Sequence, residues 1–325
     1  MKKIVSLILA ALLVVIPFSV QGAEEDLTME AFSTAGQNGY YQYNEETKTY
    51  EYHSGEQFDF PALYEEQEEQ GIPLPEISPQ AGGIFESDNR VLVQQPAGYL
   101  SSTCLIGARF GTLVNHATGW LINERYLVTA AHVVYEKGDG TSEYGFADHV
   151  AVYVGASGGN SKQYRRGQVY AVGGDYIGGT DYGIGKYDDW AVVKLEQPVT
   201  VSVSYLGLRP VNSASEMSSL GYSTQGYPCD KNGCDEPGAI WDNSSMYRTT
   251  GYILGDKARY LDLVITNIDM YKGQSGSPVW RYSSSDGYRA EAMVIAYSEY
   301  GGSTENYLIL INDWLYNYLT TNCKA

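Results

Sequence analysis

The chain has 325 residues, 43% of them hydrophobic, and a net charge of −18, so it is long and apolar enough to bury a core. The acidic balance and the lack of a basic patch exclude nucleic acid as an expected partner. The charge is uneven. Residues 24–82 contain 14 acidic residues and one lysine, a net charge of −13, and the two lysines near the start add +2, which leaves −7 for residues 83–325.

Residues 1–22 are typical of a secretory signal peptide. Two lysines precede an apolar or small run from Ile4 to Ile16, and Pro17 then interrupts the helical pattern. We expect cleavage after Gly22 or Ala23. The apolar run is too short to span a bilayer, and no later run reaches that length. The sequence therefore predicts an exported, extracellular protein without a membrane partner.

Residues 23–82 differ from the rest of the chain. They contain an acidic run at residues 65–69, four prolines and a cluster of tyrosines between Tyr40 and Tyr52, and their apolar periodicity is poor. This composition is typical of a propeptide or linker. A propeptide would cover the active site of a zymogen until its removal, whereas the alternative is an acidic solubilising tail. We favour the propeptide.

From about residue 83 short alternating or β-branched runs recur between Gly, Asn and Asp residues. They predict an all-β sandwich or a pair of barrels. Asn312–Leu319 alone has helical spacing. Residues 155–185 are glycine-rich and are predicted to form a loop with one strand; their acidic residues lack a calcium-ligand spacing. The predicted strands are Arg90–Val93, Leu105–Leu113, Gly119–Ile122, Tyr126–Thr129, Val150–Val154, Gln168–Val172, Trp190–Leu195, Tyr247–Leu254, Leu261–Ile265, Ala292–Tyr297 and Leu308–Ile311.

The chain contains four cysteines, and an even number in an exported protein predicts two disulfides. Cys229 and Cys234 flank a turn-forming sequence, Asp-Lys-Asn-Gly. We therefore pair these two, which leaves Cys104 with Cys323. A zinc site is the competing interpretation, but the cysteine spacing matches no usual ligand pattern and the chain has only four histidines.

Residues 272–279 have the sequence Lys-Gly-Gln-Ser-Gly-Ser-Pro-Val. The glycines permit backbone angles that other residues avoid, so Ser275 can expose its hydroxyl while its N–H and that of Gly273 face a developing oxyanion. A Gly/Ser turn between strands is the simpler interpretation. The stretch is not a G-x-S-x-G elbow, because Ser277 takes the place of the second glycine.

Two upstream segments contain the groups that would activate this serine. His132 follows the run Tyr126–Thr129 and two small alanines, which leave room for its ring to enter a cleft. Asp189 precedes the apolar run Trp190–Leu195. A partly buried carboxylate there can accept the imidazole N–H and fix its tautomer, and the imidazole can then remove the serine proton. The order His, Asp, Ser makes the combination specific.

At these residues the chain resembles a known family. Thr129–His132, Asp189–Leu195 and Gly273–Pro278 are similar to the three signature segments of chymotrypsin-fold, or trypsin-like, serine endopeptidases. The closer resemblance is to the bacterial glutamyl endopeptidase branch. That branch shares the serine motif and three further features, which are Gly226-Tyr227-Pro228, Ile311-Asn312 and the stretch Glu86–Arg90 near the expected mature start.

The resemblance covers roughly residues 84–325 and implies an all-β fold of two six-stranded antiparallel β-barrels with a C-terminal helix. It places a protease domain at residues 83–325. His132 would be the general base and acid, with Asp189 as its orienting partner. Ser275 would be the nucleophile, and the backbone N–H groups of Gly273 and Ser275 would form the oxyanion hole. Asp188 is the alternative carboxylate, although the family pattern places the aspartate directly before Trp-Ala-Val-Val.

The residues expected to read the substrate depart from the family pattern. Glutamyl endopeptidases bind a substrate carboxylate with a histidine and a threonine; here Ser298, or less favourably Ala296, takes the histidine position and Met270 the threonine position. Asp269 lies six residues before Ser275, where trypsin-like enzymes place the carboxylate that binds Lys or Arg. The loss of the histidine and the threonine argues against a preference for Glu, while a Lys/Arg preference and an apolar or mixed preference both stay open.

The leading hypothesis is a secreted serine endopeptidase that forms an acyl-enzyme on protein or peptide substrates. A catalytically silent binding module with the same fold is the alternative, but binding alone does not require His132, Asp189 and Ser275 together. An α/β-hydrolase esterase would place the histidine last in sequence, and here it comes first. We expect a monomer that uses no cofactor and no metal.

Overall fold

The computed structural model describes residues 39–54, 83–85, 87–136, 145–178, 188–217, 220–234, 244–256, 263–300 and 303–325. The predicted signal peptide lies outside these residues, as does most of the predicted propeptide. Two strands before the first gap, β1 (Gly39–Asn44) and β2 (Thr49–Ser54), form an antiparallel hairpin. A short strand, β3 (Val91–Val93), follows the second gap.

The first barrel contains six antiparallel strands in the order β8-β7-β4-β5-β6-β9, closed by pairing between β8 and β9. Its core includes Ile106, Val152 and Val193, all fully buried. The hairpin adds to this barrel, because β1 pairs with β8. The strands are β4 (Thr103–Phe110), β5 (Leu113–Leu121), β6 (Tyr126–Thr129), β7 (His149–Val154), β8 (Gln163–Gly173) and β9 (Ala191–Leu195).

The second barrel contains six strands in the order β15-β14-β11-β12-β13-β16, closed by pairing between β15 and β16. The short strands β3 and β10 extend it at β12 and β15. Its strands, with β10, are β10 (Gly207–Leu208), β11 (Gly221–Gly226), β12 (Met246–Asp256), β13 (Leu263–Thr266), β14 (Pro278–Ser283), β15 (Gly287–Tyr300) and β16 (Ser303–Leu310).

The longest described helix, α5, runs from Asp313 to Asn322 at the end of the chain. The side chain of Asn312 caps it by accepting a hydrogen bond from the N–H of Leu315 at 2.8 Å, which gives the Ile311-Asn312 motif a structural role. No described helix is long and apolar enough to cross a membrane. The shorter helices are a 3₁₀ helix (Gly98–Ser102), α1 (Ala131–Val134), α2 (Gly174–Gly178), α3 (Ala214–Met217) and α4 (Cys229–Asn232).

The predicted fold class is confirmed: the protein has two closed six-stranded antiparallel barrels and a C-terminal helix. The described residues of the predicted glycine-rich segment, 155–178, contain the strand β8 and also the short helix α2. The sequence analysis did not predict the β1–β2 hairpin. Its tyrosines alternate with polar residues, and this signal was obscured by the acidic, proline-rich sequence around it.

Candidate active site

His132 and Asp189 meet where β6 of the first barrel ends and β9 begins. His132 lies in α1, directly after β6, and Asp189 lies just before β9. Nδ1 of His132 is 2.7 Å from one carboxylate oxygen of Asp189, and the backbone N–H of His132 donates to the other at 3.0 Å. Asp189 is 1% exposed. The carboxylate therefore fixes both the ring and the backbone of His132.

The two neighbouring aspartates have different partners. The carboxylate of Asp188 accepts a hydrogen bond from the indole N–H of Trp190, whose backbone N–H also donates to the Asp188 carbonyl. Asp189 faces His132. The structure therefore brings Asp189 to the histidine, and it gives Asp188 a role in holding the buried Trp190 side chain.

Ser275 lies in a tight turn between residues 271 and 277. The side-chain oxygen of Gln274 accepts from the N–H of Tyr271, and the N–H of Gln274 donates to the Tyr271 carbonyl, both at 3.0 Å. Gly273 and Gly276 have φ angles of +92° and +84°, which favour glycine. A Cβ at Gly276 would also lie 2.2 Å from the carbonyl oxygen of Thr118. Both the angles and the space therefore require glycine.

The serine turn of the second barrel is attached to the first barrel by Thr118 on β5. The N–H of Thr118 donates to the Ser275 carbonyl at 3.0 Å, and its hydroxyl donates to the Gly273 carbonyl at 2.8 Å. The position of a Cβ at Gly276 is 3.0 Å from the backbone nitrogen of Ala130, two residues before His132. The serine turn thus lies against the segment that leads into the histidine.

Thr118 could not be recognised from the sequence alone. It is one of several threonines on the strands, and no local motif distinguishes it. Its importance comes from contacts with residues that are more than 100 positions away, which only the packing of the two barrels creates.

Comparison with known proteins identifies the family of this fold. The sequence model of the family described as Trypsin matches residues 95–312. The chain belongs to the trypsin family. This confirms the resemblance to chymotrypsin-fold serine endopeptidases, and similarity to a protein named glutamyl endopeptidase supports the closer resemblance to that branch.

Two relatives and two solved structures are similar to the chain. The "Extracellular metalloprotease" of Bacillus subtilis (strain 168) is 31% identical over 192 residues, which cover 58% of this chain and 52% of that protein. The "Glutamyl endopeptidase" of Bacillus licheniformis is 27% identical over 245 residues, which cover 73% of this chain and 68% of that protein. The chain thus spans about half the length of the first relative and about two thirds of the second.

The solved structures show the shared fold. The structure of Glu endopeptidase in complex with MPD has a TM-score of 0.58 and 20% identity, covering 74% of this chain and 99% of that one. The protease Anisep from Arthrobacter nicotinovorans has a TM-score of 0.52 and 15% identity, covering 71% of this chain and 100% of that one.

In this trypsin-family chain, the carboxylate of Asp269, the candidate for binding a Lys or Arg side chain, contacts the chain's own backbone. It is fully buried, and its two oxygens accept hydrogen bonds from the backbone N–H groups of Phe85, at 2.7 Å, and Asn89, at 3.0 Å. These contacts fasten the segment that begins at Gly83 to the second barrel. The prediction that Asp269 binds a Lys or Arg side chain of the substrate stays a prediction, and these contacts favour a structural role for its carboxylate.

The other pocket candidates lie on the second barrel. Met270 is buried, and its N–H donates to the Gly83 carbonyl at 3.2 Å. Ala296 is buried on β15, opposite Tyr307 on β16 and beside a β-bulge. The backbone of Ser298 pairs with that of Glu305, but its side chain lies outside the described part of the structure.

The predicted disulfide between Cys229 and Cys234 is confirmed, whereas the predicted pairing of Cys104 with Cys323 is wrong. Both of these cysteines are free and buried. Cys104 lies within β4, and its thiol contacts the Ser102 carbonyl at 3.4 Å. Cys323 follows α5, and burial raises the pKa of its thiol to about 12. The even cysteine count could not reveal that these two thiols are free, because each of them is buried in the apolar core without a disulfide.

His116 lies beside the serine turn. One ring nitrogen is 2.9 Å from the Tyr227 carbonyl oxygen, and a Cβ at Gly273 would lie 2.9 Å from the ring. Among the described residues, His116 forms the one group with metal-ligand spacing, together with Cys229 and Cys234. Because the disulfide removes both thiolates, this donor set does not fit a metal.

Burial lowers the pKa of His116 to about 4, although its contact with the Tyr227 carbonyl acts in the opposite direction. The unfolded chain, with an ordinary histidine pKa of about 6.5, binds this proton first as the pH falls. We therefore expect His116 to reduce the free energy of unfolding by up to about 3 kcal/mol between pH 6.5 and 4. Urea unfolding measures the free energy of unfolding at pH 7.5 and at pH 4.5. The decrease between these two pH values should be smaller for His116→Gln than for the parent protein. An equal decrease in both proteins would contradict the lowered pKa of His116.

Proposed function

We propose that the chain is a secreted serine endopeptidase whose nucleophile is Ser275. The Ser275 hydroxyl oxygen attacks the carbonyl carbon of the scissile peptide bond while His132 takes the hydroxyl proton on Nε2. The negative charge moves to the carbonyl oxygen, where the N–H groups of Gly273 and Ser275 stabilise it. Asp189 holds the ring in the required tautomer and stabilises the imidazolium.

The tetrahedral intermediate then collapses. The C–N bond breaks, and the imidazolium gives its proton to the leaving amine, so that an acyl group remains on Ser275. In the second half, water attacks the ester carbon and gives its proton to His132. The C–O bond to Ser275 breaks, the proton returns to the serine oxygen, and the carboxylic acid product leaves.

The observation that supports this most strongly is the double attachment of His132 to Asp189. One carboxylate binds both Nδ1 and the backbone N–H of the same residue, at 2.7 and 3.0 Å. A buried carboxylate held in this way directs the opposite ring nitrogen away from itself. The serine turn contacts the strand end that leads into His132, and Thr118 joins the two barrels at that point.

A fluorophosphonate probe tests the nucleophile directly, because it forms a covalent bond only with an activated serine. We expect one adduct, found by mass spectrometry on the peptide that contains Ser275. Ser275→Ala should abolish labelling, and His132→Ala should slow it strongly. Ser277→Ala is the matched control, since Ser277 is fully buried two residues away, and it should label normally. Labelling that survives in Ser275→Ala would contradict the proposal.

Export and processing are part of the proposal. Three observations support export. The first residues resemble a signal peptide, and the Cys229–Cys234 disulfide is of a kind typical of oxidising compartments. One relative is also named "extracellular". The contacts of Gly83 support the boundary near this residue. The N–H of Gly83 donates to the side-chain oxygen of Asn306, whose amide donates back to the Gly83 carbonyl, both at 2.8 Å. The protease domain would begin at this clamp, with residues 23–82 as a propeptide.

The proposed substrates are proteins or peptides, and the candidate pocket residues favour an apolar or mixed preference. Met270 and Ala296 are apolar and buried. The carboxylate of Asp269 accepts hydrogen bonds from two backbone N–H groups of the chain itself. The structure therefore offers no support for a Lys/Arg preference from that residue. Similarity to a protein named glutamyl endopeptidase does not decide the cleavage preference. The chain has no histidine after His149, and so it lacks the histidine with which that branch binds a substrate carboxylate.

A further inference from the structure

The β1–β2 hairpin, residues 39–54, lies within the segment assigned to the propeptide, yet it is built into the first barrel. The C-terminal part of β8, from Val169 to Gly173, pairs with β1 on one side. On its other side the same part of the strand pairs with β9. The neighbouring strand β7 pairs only with the N-terminal part of β8, from Gln163 to Arg166. β1 therefore covers a strand edge that the barrel itself does not pair.

Glu45, at the end of β1, makes the most specific contact of the hairpin. It is 2% exposed. One carboxylate oxygen accepts from Nε of Arg166 at 3.0 Å and the other from the hydroxyl of Tyr170 at 2.8 Å, with Nδ1 of His149 at 3.6 Å. The N–H of Glu45 also donates to the Gln168 carbonyl at 2.9 Å. A carboxylate buried among such partners on the barrel indicates a formed interface.

Aromatic side chains complete the interface. Tyr41 is 3% exposed and belongs to the core of the first barrel. Tyr43 stacks on Phe146 with ring centroids 4.7 Å apart, and Tyr40 packs edge-on against Tyr318 of α5 at the same distance. These contacts bury apolar surface that the barrel would expose to water if the hairpin left.

The hairpin also lies next to the segments that hold the catalytic histidine and aspartate. Tyr40 is paired with Gly173, whose N–H donates to the carbonyl of Trp190, the residue after Asp189. Phe146, on which Tyr43 stacks, also packs edge-on against Tyr135, three residues after His132, with ring centroids 4.9 Å apart. Loss of the hairpin would therefore remove support from both segments.

We propose that the first barrel retains residues 39–54 as a non-covalent subunit after the chain is cut between the hairpin and Gly83. The proposal rests on the processing near Gly83 that is part of the proposed function. The interface has three components that a cut in the connecting segment leaves intact: five paired residues of β1, the buried Glu45 carboxylate and three tyrosines.

The test uses the full chain with Ser275→Ala, so that its own proteolytic activity plays no part. A recognition sequence for a site-specific cysteine protease is inserted between residues 55 and 82, and the cut protein is diluted and passed over a size-exclusion column. We expect the N-terminal fragment to elute with the barrel domain at a 1:1 ratio, as measured by intact-mass spectrometry. Separate elution of the unsubstituted fragment would overturn the proposal.

Glu45→Ala and Glu51→Gln form a matched pair on the same hairpin. Glu51 is exposed, and its described ion pair is a 3.8 Å contact with His53. After cutting, Glu45→Ala should release the fragment roughly 100-fold faster, because it leaves Arg166 and Tyr170 without their acceptor, while Glu51→Gln should behave as the parent. Melting curves before cutting show whether each variant is folded. Equal release from folded Glu45→Ala and Glu51→Gln would contradict the assigned interface. Because no step requires catalysis by Ser275, failure here is distinguishable from failure of the proposed activity.

Discussion

Asp189→Asn is expected to lower kcat about 10⁴-fold, the size of loss that this change causes in other triad proteases, with a small effect on KM. The Asp189 carboxylate accepts from both Nδ1–H and the backbone N–H of His132. An amide presents an NH₂ group to one of these donors, so the ring turns or adopts the other tautomer. Nε2 then carries the proton and cannot act as the base. Steady-state kinetics on a peptide substrate measures both constants.

Asp188→Asn is the control for this prediction. Asp188 is adjacent in sequence, but its carboxylate accepts from the Trp190 indole. An amide oxygen can accept the same hydrogen bond, so we expect kcat to stay within about tenfold of the parent enzyme. If Asp188→Asn lost activity as severely as Asp189→Asn, the assignment of the two aspartates would have to be revised.

Asp269→Ala is expected to lower the free energy of unfolding by about 3 kcal/mol and to leave the cleavage preference unchanged. The substitution removes the buried acceptor of the N–H groups of Phe85 and Asn89, and a hydrogen bond to a charged group contributes about 1.5–3 kcal/mol. The segment that starts at Gly83 would then separate from the second barrel. Urea unfolding measures the stability, and peptide-library cleavage measures the preference.

Asp269→Asn separates the two interpretations of this residue further. Its amide oxygen can still accept one of the two N–H groups, so it should lose less stability than Asp269→Ala. A carboxylate that binds Lys or Arg would behave differently. Both variants would then lose cleavage after basic residues while keeping the stability of the parent, and that result would restore Asp269 to the substrate pocket.

The parts of this protein that sequence could predict are those specified by neighbouring residues. The Gly-x-Ser-Gly turn requires glycine at Gly273 and Gly276 because of their φ angles. His132 and Asp189 both stand at strand ends that apolar runs reveal. The Cys229–Cys234 disulfide closes a short turn, and α5 begins at an Asn cap.

The parts that sequence could not predict depend on contacts between distant segments. Thr118 holds a turn more than 150 residues away, and Asp269 holds a segment about 180 residues before it. The even cysteine count predicts a Cys104–Cys323 pair, but in the fold both thiols are free and buried. The attachment of the hairpin to the first barrel could not be predicted either, since the partners of its Glu45 lie on β7 and β8, more than 100 residues away.

The most direct test of the central claim is a cleavage-site profile on a complex peptide library, recorded for the processed protein and for its Ser275→Ala variant. We predict cleavage by the parent protein and none by the variant, with the residue before each cut reporting the preference of the pocket. Apolar or mixed residues there would agree with the roles given to Met270 and Ala296. Equal cleavage by both proteins, or none by the processed parent, would contradict Ser275 as the nucleophile of an endopeptidase and would favour a binding module with a protease fold.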